Sequence, residues 1–202
     1  MSALRAGSLV LTLVCWVSPA RASDPALLDR VQTLLSQGVE PGNAQATIVA
    51  LGDDGERALE GVFERESAPR YVRLRALNVL ATLASPASVH YLDALVRAAQ
   101  APDERLGELH PARSPLVLRR ALEGLANARL DLTSVVARLA HMDPQVRRAA
   151  ANLLASYQPA TQDPTSDARI AAALSALQTH ESSRMVRVSV ERALSARAAL
   201  HR

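Results

Sequence analysis

The sequence predicts an all-α protein assembled from short antiparallel helical hairpins stacked side by side. Three observations carry that expectation. The 202-residue chain is 49% hydrophobic but only 2% aromatic, with abundant Ala, scarce Gly and few of the residue types that favour strands, a balance that suits helix almost everywhere. Apolar residues recur at helical spacing from Pro25 to the end of the chain. One apolar pattern then returns several times at intervals of a few tens of residues, which is how repeat architectures announce themselves. The same composition excludes a long disordered tail as the main content. Lysine is absent, so all 23 basic residues are Arg. An Arg- and Ala-rich composition follows from a GC-rich genome as readily as from function, and is no argument for nucleic-acid binding.

Residues Met1 to Ala22 read as a cleavable signal peptide. Arg5 supplies the positive start, Ala6 to Ser18 the apolar stretch, and Pro19 a helix-breaker ahead of Ala20-Arg21-Ala22, whose small residues suit a signal peptidase. The apolar stretch is shorter than the roughly 20 residues needed to cross a bilayer, so no stable membrane anchor is expected after cleavage. Cys15 lacks the small preceding residue of a lipid-attachment site, because Val14 stands there. Cleavage before Ser23 leaves no Cys and no Trp, so no disulfide forms even in an oxidising compartment, and stability must come from packing. It also leaves 21 Arg against 20 acidic residues, close to neutrality. The expected location is the periplasm or the exterior.

The helices are justified in order by their stripes and their punctuation. Asp24 caps a first helix with Leu27, Leu28, Val31, Leu34 and Leu35 on one face, stopped by Gly38. A second, short helix runs from about Asn43 to Leu51, where Gly52 stops it. The third, within Asp54 to Arg65, buries Ala58, Leu59, Val62 and Phe63. Later helices begin near Pro69, Pro86, Pro115, Asp131, Pro144, Ser166 and Ser183, giving about ten in all. Ser85-Pro86, Ser114-Pro115 and Asp143-Pro144 each join an N-cap side chain to a proline at the first helical position, where a missing N–H does no harm.

Four of these helices overlay. Val72, Ala76, Leu77 and Leu80 set a spacing of i, i+4, i+5 and i+8. Val117, Ala121, Leu122 and Leu125 repeat it, as do Val146, Ala150, Ala151 and Leu154. Val186, Val190 and Leu194 give a fourth copy, with Glu191 departing at i+5. Each copy follows another amphipathic helix, so the unit is a helical hairpin of roughly 40 residues. A single hairpin cannot bury both its faces, whereas stacked hairpins share a continuous core.

The segment Asp143-Pro144-Gln145-Val146-Arg147-Arg148-Ala149-Ala150-Ala151 resembles the second helix of a HEAT repeat, and Val72-Arg73 and Val186-Arg187 echo it. The Ser114 to Leu125 copy departs by placing Leu118 where the Arg is expected. Tetratricopeptide landmarks are missing, and a non-repetitive helical bundle is the other alternative. The resemblance implies a right-handed α-solenoid with about four repeats over 53–202 and a degenerate capping pair of helices over 23–52. It also implies that Arg73, Arg147 and Arg187 form an inner ladder, pairing with Asp side chains or helix-end carbonyls of the next repeat, with ligand contact as the alternative role.

No catalytic constellation emerges from the residues. His90, His110, His141, His180 and His201 are never three to five apart, so no helical metal pair exists, and the nearest cluster is Asp103, Glu104, Glu108 and His110 in one loop. Phosphate-binding and dinucleotide Gly motifs and a nucleophile elbow are all missing. No cofactor, metal or nucleic-acid partner is therefore expected. The acids gather early: 23–112 carries 8 Arg against 13 acids, and 113–202 carries 13 Arg against 7. HEAT-like solenoids line their concave side with the second helices. Positions i+2, i+3 and i+6 from each Val place Arg75, Arg119, Arg120, Arg148 and Arg192 there, with Asn78 and Asn152 beside them. Such a surface can hydrogen-bond carboxylates in pairs, or it can merely solubilise an alanine-rich array. The leading expectation is an exported, non-enzymatic scaffold that binds another protein, through an acidic segment, by this concave face. The alternatives are an enzyme or enzyme accessory of the HEAT-like lyase type and a self-associating structural component of the envelope.

Overall fold

The first described helix, α1 (Pro25–Ser36), begins where its punctuation places it, with the Asp24 carboxylate accepting from the Ala26 amide at 3.0 Å. The computed structural model describes residues 24–37, 46–99, 107–126, 132–157 and 164–200. The expected signal peptide, Gly38, the start of the second helix, Asp103, Glu104 and Asp131 lie outside the described residues, although 46–49 are helical. Gly52 has φ +58°, a left-handed conformation that turns the chain into α2 (Gly52–Glu64). Next come α3 (Arg70–Leu83), α4 (Pro86–Ala98) and α5 (Pro115–Gly124). They are followed by α6 (Thr133–Ala137) with a 3₁₀ turn over Arg138–Ala140, then α7 (Pro144–Ser156), α8 (Pro164–His180) and α9 (Arg184–Leu200). Among the described residues every regular element is a helix, so the fold is all-α.

The three Pro-led starts carry their caps. Ser85, Ser114 and Asp143 accept from the amides of Ser88, Val117 and Gln145 at 3.1, 3.4 and 2.7 Å. The helix expected from Asp131 is reduced to one α-helical turn and a 3₁₀ turn. Its β-branched Thr133, Val135 and Val136 are poor helix formers. Buried Arg138 donates back to the Ser134 carbonyl of that helix at 3.3 Å and across to the carbonyl of Ala99, just past α4, at 3.2 Å.

The repeated apolar spacing forms the core. Val72, Ala76, Leu77 and Leu80 are fully buried, as are Val117, Ala121, Leu122 and Leu125, and Val146, Ala150, Ala151 and Leu154. Val186 and Val190 continue the series, and Leu118, in the place of the missing Arg, is buried too. These side chains belong to one contiguous cluster with Leu59, Val62, Leu92, Val96, Val135, Ile170 and Leu174 from the preceding helices. A fully buried Val or Leu contributes about 1.5–3 kcal/mol by leaving water. The small alanines at i+4 let backbones approach. Packing follows chain order: α3 lies on α5, α5 on α7 and α7 on α9, while α1 covers α2 and α3, and α8 covers α9. Tyr71 is 51% exposed, because it precedes Val72 and so points off the buried stripe.

Candidate functional site

Three of the four helices that carry the repeated spacing have, near their start, an arginine that fastens the chain before it. Arg73 Nε donates to the Phe63 carbonyl at 2.6 Å. Arg187 Nη1 donates to the carbonyls of Glu181 and Ser182 at 3.1 and 3.2 Å. Arg147 Nη1 takes those of His141 and Met142 at 2.7 and 2.8 Å. The expected ladder to the next repeat is thus corrected: Arg73 and Arg187 close their own hairpins, because an Arg in the first turn reaches back across the loop to carbonyls left free there. Arg147 alone of the three also reaches forward, pairing with both oxygens of Glu181 at 2.6 and 2.9 Å. Hydrogen bonding to that guanidinium holds the buried Glu181 carboxyl below the usual carboxylate range. Burial keeps His141 below the usual imidazole range, and its Nδ1 accepts from the Asp143 amide at 3.0 Å.

With that row of arginines occupied, the outward positions of α3, α5, α7 and α9 remain. Arg75 donates to the Leu35 carbonyl at the end of α1 at 2.6 Å and lies 5.4 Å from the Tyr71 ring centroid. Exposed Asn78 gives its backbone carbonyl to Arg120 at 3.5 Å. Arg119 and Arg120 both engage Glu123 of their own helix, at 3.5 and 3.1 Å. Three of the seven expected contact residues therefore already have protein partners that compete with any ligand. The Glu123 pairing is visible in the sequence as an i,i+4 and i,i+3 arrangement.

Three more of the seven come together. Arg148, Asn152 and Arg192 line a cleft of about 230 Å³ between α7 and α9, with Arg184, Met185, Val188 and Ser189. Arg148 Nη1 contacts Met185 Sδ at 4.0 Å. Neither Arg148, Arg184 nor Arg192 forms an ion pair with a carboxylate among the described residues. Asn152 Oδ1 is enclosed and has no hydrogen-bond partner there. Met185 and Val188 are 50% and 46% exposed. Sequence reasoning missed Arg184, Met185 and Val188. One signal was available: the residue before Val72, Val117 and Val186 is Tyr71, Leu116 and Met185, each a large exposed apolar side chain.

A smaller cleft of about 130 Å³ lies between Leu132–Val136 and the start of α8, lined also by Tyr157 and Arg169. Among the described residues no group of His, Cys, Asp and Glu is placed to hold a metal ion. None of their helices is long and apolar enough to cross a membrane. No family model, curated protein or solved structure matches the chain.

Proposed function

We propose that the chain is an exported, non-enzymatic scaffold of the HEAT-like type, a right-handed α-solenoid that holds an acidic segment of another protein against its second-helix face. The observation that carries this reading is the gathering on that face of Arg148, Arg184 and Arg192, which have no carboxylate partners among the described residues. Guanidinium groups left in that state attract carboxylates and hold them through paired hydrogen bonds. The chain-order packing of α3, α5, α7 and α9 supports the solenoid, since repeat arrays bury their faces against nearest neighbours. The anatomy of Met1 to Ala22 supports export.

Cross-linked pull-down from the periplasmic fraction identifies the partner, and the triple variant Arg120→Glu, Arg148→Glu and Arg192→Glu tests the face. Affinity is expected to fall, and the salt dependence of binding to flatten, because a screened attraction has been inverted. Retained affinity with an unchanged salt slope removes this face from the reading. Self-oligomers with no second protein point instead to self-association, which the opposite charge of the two halves of the chain favours. N-terminal sequencing of the exported protein is expected to begin at Ser23, and intact Met1 on soluble cytoplasmic protein overturns the compartment.

A further inference from the structure

Resting on that reading, we propose that the cleft between α7 and α9 is the anchoring pocket of the face. Its occupant is one apolar side chain of the partner, flanked by carboxylates. Three features of the cleft define the occupant. Its volume, about 230 Å³, falls below the roughly 300–1,000 Å³ of pockets that enclose drug- or cofactor-sized molecules, so it suits a side chain. Its apolar surface is Met185 and Val188, half in water, and a hydrophobic side chain laid on them removes that surface from solvent. Met185 is unbranched and adaptable, as suits a site that must close around a guest.

The polar groups narrow the choice. Arg148, Arg184 and Arg192 line the cleft with the apolar patch and, having no acid partner among the described residues, complement negative charge on both sides of the anchor. A phosphate or a polyanionic sugar offers negative charge but no apolar anchor, and an anionic lipid carries its charge at one end of its chains rather than beside an anchor on both sides. An acidic peptide with an embedded Leu or Met meets both demands at once. Elsewhere on the face the arginines are engaged, Arg75 by Leu35 and Arg119 and Arg120 by Glu123. Partner recognition is thereby concentrated at the C-terminal end.

The test is a fluorescence-anisotropy titration of the purified full chain with a short labelled probe peptide carrying one leucine between two Asp-Glu pairs. Saturable, salt-weakened binding is expected. Leu→Ala in the probe, and Arg148→Glu, Arg192→Glu or Val188→Ser in the protein, are each expected to weaken it by about tenfold or more. Arg30→Glu, an exposed position on α1, is expected to change it by less than about twofold. All four substituted positions lie on the outer surface or its margin, and unchanged thermal melting certifies the fold of each variant. No saturable binding of the probe, or indifference to Leu→Ala, overturns the pocket. Equal loss of binding on Arg30→Glu and on the cleft reversals also overturns it, because the attraction is then a general charge effect. If the partner captured by pull-down ignores all the reversals together, the reading beneath the pocket fails with it.

Discussion

Ala84 ends α3 with φ 52°, in the left-handed region where a Cβ crowds the following carbonyl. The residue is exposed, so its methyl group buries nothing that would offset the strain. Ala84→Gly is therefore expected to raise stability by about 0.5–1 kcal/mol, read as a higher denaturant midpoint with unchanged slope. Gly124 is the opposite case. A Cβ built there would meet Ala81 Cα and Leu92 Cδ1 at 2.7 Å, so α5 is docked directly onto α3 and α4 at this point. The better helix propensity of alanine is worth only about 1 kcal/mol. The clash is with backbone, which cannot swing aside as a flexible side chain can. Gly124→Ala is expected to lower stability by about 1–3 kcal/mol, and a variant that melts at or above the parent temperature would contradict this docking.

One row of α2 carries Glu56, Glu60 and Glu64 at successive turns, facing α4. Ser85 Oγ is hydrogen-bonded to Glu56, and Tyr91 Oη donates to Glu64 Oε1 at 3.1 Å. Burial pushes the Tyr91 phenol up, so it remains a donor throughout the physiological range. Glu60 lies between these anchored neighbours, and burial, then repulsion from Glu64 and Glu56, raises its pKa from 4.5 to about 7. A carboxyl that holds its proton more tightly when folded penalises the folded state once the proton leaves. Stability from this group is therefore highest at or below pH 4.5 and declines as pH rises to about 7. Glu60→Gln removes that decline. Its melting temperature is expected to exceed the parent's at pH 8 and to approach it near pH 4.5, and equal melting temperatures at pH 8 would contradict the repulsive row. At this scale the sequence was readable wherever cap and stripe agreed, as at Ser85, Ser114 and Asp143. It was unreadable where tertiary contacts decided. Arg138, just past the short α6, is bonded to Ala99, 39 residues away in the chain, and no local pattern encodes that contact.

Across the whole molecule, the face was legible as a register of Arg and Asn positions, but the cleft on it was not. Which arginines remain without partners depends on where Leu35, Glu123 and Met185 arrive, and those contacts mostly join different helices. Arg197 offers a test of how the elements are coupled. It is 3% exposed and joins three helices at once, donating to Asp167 in α8 at 2.5 Å and to the carbonyls of Leu154 and Tyr157, at the end of α7, at 2.9 Å each. Its guanidinium also lies 5.4 Å from the Tyr157 ring centroid. Arg197→Ala takes the guanidinium from buried Asp167 and from both carbonyls, at an expected cost of about 3 kcal/mol or more. Where that loss is felt distinguishes the proposed solenoid from a single bundle. In a stack whose elements touch mainly their neighbours, opening at one end leaves the other intact. Hydrogen exchange is therefore expected to quicken in α7, α8 and α9 while α2, α3 and α4 keep their protection. An equal loss from every helix is the behaviour of one cooperative bundle, and would remove the solenoid from the reading of this chain.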